Sequence, residues 1–156
     1  MEIADLLPGP DAVLASAKAP GKKALLAELA GRAAHLYSLD ERRLFDRLLE
    51  RERLGSTGIG GGIAIPHGRM STLVQPRGLF VRLAQPIDFD SIDERPVDLV
   101  FLLMAPEGAG ADHLKALARV SRLLRDRSLL EKLRATESAE ALYALLVEPV
   151  QAQSAA

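Results

Sequence analysis

The feature that most constrains the fold of this chain is the segment from Val97 to Met104, which is nearly continuous apolar sequence ending at Pro106. A strand with one wet face alternates polar and apolar residues. A run without that alternation has to be covered on both faces, and helices usually provide the cover. Leu79, Val81 and Leu83 alternate with Phe80, Arg82 and Ala84 and predict a second strand. Ile63-Ala64-Ile65 is a short apolar run stopped by Pro66, and Val13 to Ala15 gives a weaker strand signal.

Helical stripes interleave with these strands. Leu25, Leu26, Leu29, Ala33 and Leu36 lie on one face of a helix that starts near Gly21, with Pro20 suited to its first turn. Ser38 and Glu41 read as a capping box for a second helix. That helix buries Leu44, Phe45, Leu48 and Leu49 and carries Arg42, Arg43, Arg47, Arg51 and Arg53 mostly on other faces. Asp112 is predicted to cap a helix reaching about Arg125, with Leu114, Leu117, Val120, Leu123 and Leu124 inward. Ser128 and Ser138 are expected to start two shorter helices, and residues 149–156 read as a disordered tail. Helices and strands alternate without repeats or linkers, so one α/β domain over residues 1–148 is expected.

Composition narrows the function classes. A chain of 156 residues can bury one core, and its 20 Lys plus Arg against 21 Asp plus Glu leave no general electrostatic footprint for nucleic acid. The absence of cysteine excludes disulfides, thiolate zinc sites and a cysteine nucleophile. The apolar run around Leu102 is far shorter than the ~20 residues a membrane helix needs. The N-terminus lacks a basic start followed by a long apolar stretch, so the cytoplasm is the expected location.

Chemistry is concentrated between Gly55 and Arg69. Gly55-Ser56-Thr57-Gly58-Ile59-Gly60-Gly61-Gly62 holds five glycines in eight positions and is expected to form no regular element. Such a loop can bring backbone N–H groups close to an anion. A nucleotide-binding P-loop would need a Lys, and none occurs from Glu50 to Gly110. A dinucleotide fingerprint would need a helix where Pro66 stands. What remains is a glycine-rich loop, a short strand, and His67 at its end between Pro66 and Gly68. Pro66 fixes the approach angle, and Gly68 is expected to let the backbone turn away while offering its N–H. A neutral imidazole is a nucleophile available near neutral pH. Phosphorylating it would require donors for three charged oxygens, from backbone N–H groups, the Ser56 or Thr57 hydroxyls, or His113 and Arg51.

Residue types alone leave other readings open. His67 could be a packed turn histidine in a pure binding module, His113 a surface residue, and Arg51 a solvated charge. His67 and His113 with Asp88, Asp90 and Asp93 also invite a metal-dependent hydrolase, although no H-E-x-x-H occurs and Asp93 stands where a calcium loop needs Gly.

The stretch Arg51-Glu52, Gly55 to Gly60 and Gly62-Ile63-Ala64-Ile65-Pro66-His67-Gly68 resembles the signature of the enzyme IIA family of the bacterial phosphotransferase system, fructose/mannitol type. Pro86-Ile87-Asp88-Phe89-Asp90-Ser91-Ile92-Asp93 and Pro96-Val97-Asp98-Leu99 are similar to its nitrogen-regulatory branch in particular. The resemblance runs from about Ile3 to Val147 and departs from the family at Gly61, where Asn is expected. It implies a mixed sheet flanked by helices and a phosphocarrier without cofactor or metal. It also implies phosphorylation of His67 by an HPr-like carrier protein, assisted by Arg51 and by His113 of the His113-Leu114-Lys115-Ala116-Leu117 motif. The regulatory branch implies protein targets such as potassium-transport regulators or sensor kinases. The sugar-uptake branch would instead pass the phosphate to a IIB domain.

Overall fold

The computed structural model describes residues 1–148; the expected tail at 149–156 lies outside the described residues. In chain order, α1 (Ile3–Leu6) and a short turn lead to β1 (Val13–Ala17), α2 (Lys22–Tyr37) and α3 (Glu41–Leu54). The short strands β2 (Gly58–Gly60), β3 (Ile63–Ala64) and β4 (His67–Met70) precede the long strands β5 (Arg77–Ile87) and β6 (Val97–Pro106). The chain closes with α4 (Gly110–Leu123), α5 (Arg127–Arg134) and α6 (Ala139–Val147).

The strands form one mixed sheet in the order β1-β5-β6-β3-β2, with β4 also paired to β6. The doubly apolar segment is β6, and every residue from Leu99 to Ala105 is buried. Each such Leu, Val or Phe is worth about 1.5–3 kcal/mol when taken out of water, so β6 dominates the core. β5 runs antiparallel to it, with Phe80 opposite Phe101. On the other edge, β3 and β4 run parallel to it, with Ile63 opposite Leu99 and His67 opposite Leu103. The two short strands are therefore successive pieces of one rung, broken at Pro66. Helix α3 packs on β4, α4 on β6, α2 on α3 and β5, and α6 on β1.

The glycine-rich segment is more regular than expected. Gly58 pairs with Ala64 in an antiparallel β2–β3 hairpin. The chain turns through Gly60, Gly61 and Gly62 at φ 97°, 66° and 83°, a left-handed region that costs other residues energy. The turn is also clamped from outside. Gly61 donates its N–H to Asp93 at 2.9 Å, and Arg134 donates to the Gly61 carbonyl at 2.7 Å while pairing with Asp98 at 2.8 Å.

Helix ends account for most of the other differences. Ser38 does not cap α3; it ends α2 in a left-handed conformation at φ 56°, and Asp40 caps α3 by accepting from Arg43 N–H. Pro20 stands before the Gly21 N-cap rather than inside the first turn. Asp112 is not a cap, because α4 already begins at Gly110. Its buried stripe is His113, Ala116, Val120 and Leu123, which leaves Leu114 68% exposed instead of inward. Asp126, not Ser128, caps α5 by accepting from Leu129 N–H, whereas Ser138 does cap α6.

The clamp gives a stability prediction. A Cβ on Gly62 would stand 2.6 Å from Arg134 Nη2 and 2.9 Å from Asp98 Oδ1, while one on Gly61 would meet nothing within 4 Å. Gly61→Ala should cost about 1 kcal/mol of left-handed strain. Gly62→Ala should cost about 2–3 kcal/mol, because it also displaces the Arg134–Asp98 pair. Urea unfolding of both variants measures the difference, and equal losses would contradict the clamp.

Candidate active site

His67 opens β4 at the point where the hairpin partner β2 has ended, so its rung is flanked by β6 on one side only. The backbone on either side of Pro66 is pinned. Ile65 N–H donates to the Thr57 carbonyl at 2.9 Å, and Leu103 N–H donates to the Pro66 carbonyl at 3.0 Å. The imidazole is oriented just as closely. Its Nδ1 lies 2.8 Å from the Ile65 carbonyl, which can only accept, so Nδ1 carries the proton. Nε2 is then a bare lone pair, and it accepts from Arg51 Nε at 3.2 Å. Arg51 comes from the last turn of α3 and is steadied by donating Nη1–H to the Gly55 carbonyl at 2.8 Å.

His113 meets His67 ring to ring. It projects from the first turn of α4, is only 6% exposed, and its ring centre lies 5.5 Å from that of His67 at an angle of 72°. Its Nδ1 accepts from Arg69 Nε at 3.1 Å, and its Nε2 is buried with no partner among the described residues. Both rings favour the neutral state. Burial lowers the His67 pKa below the usual histidine range and Arg51 adds to that, against the opposing pull of the Ile65 carbonyl and Glu52. His113 is pushed down to about 4, by burial first and then by His67 and Arg69.

The remaining sequence expectations divide. Arg51, His67 and His113 come together. Ser56 and Thr57 do not turn their hydroxyls toward His67, because both are committed elsewhere. Ser56 Oγ donates to the Phe89 carbonyl at 2.7 Å, and Thr57 Oγ1 donates to Glu52 Oε2 at 2.7 Å. Gly68 does not start a turn; the chain continues as β4, with Gly68 facing Arg47 and Leu48 of α3, where a Cβ would lie at 3.5 Å. The acidic residues serve the loops: Asp93 holds Gly61, Asp90 pairs with Lys22, and Asp88 accepts from Asp90 N–H. Among the described residues no group of three His, Asp or Glu side chains converges as a metal ion would require.

Two further residues matter here. Glu52 is buried beneath the loop, accepting from Thr57 N–H and Oγ1 at 2.7 Å each and pairing with Lys22 at 3.2 Å. It ties the end of α3, and so Arg51, to the start of the hairpin. Arg69 was within reach of a simple periodicity argument. Residues i and i+2 of a strand share a face, so β4 sets Arg69 on the same side as His67, from where it reaches His113.

Residues 9–148 match the family model for the EIIA 2 component of the phosphoenolpyruvate-dependent sugar phosphotransferase system. A nitrogen regulatory protein from Bradyrhizobium diazoefficiens is 56% identical over 149 residues, which is 96% of this chain and 97% of that protein. One from Escherichia coli K12 is 42% identical over 128 residues, covering 81% of this chain and 78% of that protein. The crystal structure of the nitrogen regulatory protein IIA-Ntr from Neisseria meningitidis superposes with a TM-score of 0.86 at 37% identity, covering 92% of this chain and 98% of that one. No helix among the described residues is long and apolar enough to cross a membrane.

The depressed imidazoles predict a pH dependence of stability. Between pH 6.5 and about 4 the unfolded chain protonates His113 while the folded chain does not, and the lowered His67 adds a contribution of the same sign, so stability falls as pH falls. Each histidine contributes a slope of up to about 1.4 kcal/mol per pH unit. Urea unfolding across this window should show the loss, and His113→Gln should flatten it. A flat profile for the unmutated chain would contradict the lowered values.

Proposed function

Since the chain belongs to the EIIA 2 family of the phosphotransferase system, whose members transfer phosphoryl groups through a histidine, we propose that it is a phosphocarrier in which His67 is the acceptor and phosphorylation governs binding to regulatory proteins. One observation carries this reading: Nδ1 of His67 is occupied by the Ile65 carbonyl, which leaves the Nε2 lone pair on the Arg51 side as the nucleophile. The Nε2 lone pair forms the new bond to phosphorus. The bond that held the phosphoryl group to its donor breaks, and its electrons leave with the donor. Phosphoryl transfer of this kind is governed by positioning and charge stabilisation. Arg51 shifts its Nε–H from the ring nitrogen to a phosphoryl oxygen, remaining anchored at Gly55. His113 offers its buried Nε2, and the first turn of α4 adds the positive end of a helix dipole.

An HPr-like carrier is the donor on this reading, and the regulatory role follows the relatives named as nitrogen regulatory proteins. Potassium-transport regulators and sensor kinases are the kinds of target it assigns. The surface chemistry supports a switch by charge. Exposed apolar side chains adjoin each element of the site: Leu54 at the end of α3, Ile59 on the hairpin and Leu114 beside His113. A target that covers these side chains would have to desolvate a group bearing roughly −1.5 to −2 charges, which is costly without a matching cation. The unphosphorylated form should therefore bind such targets more tightly.

Incubation with a phosphorylated HPr-like protein should place an acid-labile, base-stable phosphoryl group on the chain. His67→Ala should abolish the label and leave the thermal transition nearly unchanged; stoichiometric labelling of that variant would refute the assignment. His113→Ala and Arg51→Ala should still be labelled, but about 10²-fold more slowly, the scale of losing one preorganised donor. Calorimetric titration of a target with both forms should give weaker binding after phosphorylation. Equal affinities would leave His67 a relay without a regulatory output.

A further inference from the structure

Arg69 lies outside the triad of Arg51, His67 and His113, yet among the described residues it makes the one hydrogen bond to the His113 ring. It sits two residues after His67 on β4, opposite Ala105 of β6, and its guanidinium reaches the first turn of α4. There Arg69 Nε lies 3.1 Å from His113 Nδ1. A guanidinium carries five N–H donors and no acceptor, and it stays charged at any pH the fold survives. The contact is a hydrogen bond only if Nδ1 of His113 has no proton. A neutral ring must then hold its proton on Nε2, the buried nitrogen that has no acceptor among the described residues. Burying a donor without an acceptor is unfavourable, so the arrangement favours a ligand oxygen that can accept from it.

We infer that Arg69 is a positioning residue, holding the His113 imidazole as the Nε2–H tautomer so that its free proton is ready for an oxygen of the phosphoryl group on His67. The two imidazoles then carry opposite tautomers for opposite tasks. The Ile65 carbonyl makes His67 a nucleophile at Nε2, and Arg69 makes His113 a donor at Nε2. The ring-to-ring spacing of 5.5 Å places the pair around a common volume. Arg69 is itself solvent-exposed, so its remaining N–H groups stay available at the surface where a donor protein would approach.

The inference rests on the reading of His67 as acceptor, and the test separates the two. Long-range ¹H–¹⁵N spectra of the unphosphorylated protein, assigned with His113→Gln, report which nitrogen of His113 is protonated at neutral pH. The expected result is a bare Nδ1 and a protonated Nε2. A proton on Nδ1 would overturn the inference whatever His67 does. In Arg69→Met, the Nδ1–H tautomer should gain population and the His113 pKa should rise. Phosphoryl transfer from a phosphorylated HPr-like protein should slow by about 10- to 100-fold, as for other partners that orient a functional histidine. Slower transfer with an unchanged tautomer and titration would make Arg69 only a surface charge met by the donor, which also overturns the inference. Absence of any label on His67 in the unmutated protein would count against the phosphocarrier reading and leave the tautomer result standing.

Discussion

The architecture depends on one strand that is dry on both faces. Because Leu99 to Ala105 must be covered everywhere, β6 takes a long antiparallel partner in β5 on one edge and the broken β3–β4 rung on the other. Helices close over it. The site inherits its coordinates from that strand: His67 is registered against Leu103, and α4 starts four residues after β6 ends at Pro106, which puts His113 in its first turn. Glu52 supplies the third fixed point. Its buried carboxylate is neutralised by Lys22 and filled by two Thr57 donors, so the end of α3 cannot drift from the hairpin.

Within this frame the electrostatics favour an uncharged pair of imidazoles flanked by cations. Burial lowers both histidines, and Arg51 and Arg69 lower them further. Neutral rings avoid placing two more positive charges beside the guanidiniums. They also keep a lone pair on one ring and a donor on the other. A phosphoryl group would reverse the local balance: the cations that disfavour protonated histidine become its counter-charges, and donors without acceptors gain them. A site with excess positive potential before reaction suits a ligand that arrives with negative charge.

Much of this was legible before the structure. The uninterrupted apolar run gave the doubly covered strand, and the helical stripes of α2 and α3 followed from their leucines. The Pro66-His67-Gly68 motif and the resemblance it carries pointed to the residues that the fold brings together. The failures have physical causes. The clamped turn at Gly60 to Gly62 depends on Asp93, Asp98 and Arg134, which are remote in sequence, so its regularity could not be read locally. The sequence offers the Ser56 and Thr57 hydroxyls to the site because it shows neither the buried Glu52 carboxylate that claims Thr57 nor the Phe89 carbonyl that takes Ser56. The sequence puts Leu114 inward because an apolar residue is the default for a buried stripe. The fold instead spends that position on His113, a polar residue whose Nε2 has no acceptor, and such exceptions gather at functional sites.

The central claim is that backbone geometry selects one nitrogen of one histidine as the nucleophile. It is tested most directly by ¹⁵N and ³¹P NMR of the phosphorylated, uniformly ¹⁵N-labelled protein, reading the nitrogen that acquires the phosphorus coupling. The account predicts a single coupling, at Nε2 of His67, with Nδ1 still protonated against the Ile65 carbonyl. A coupling at Nδ1 of His67, or at either nitrogen of His113, would contradict it.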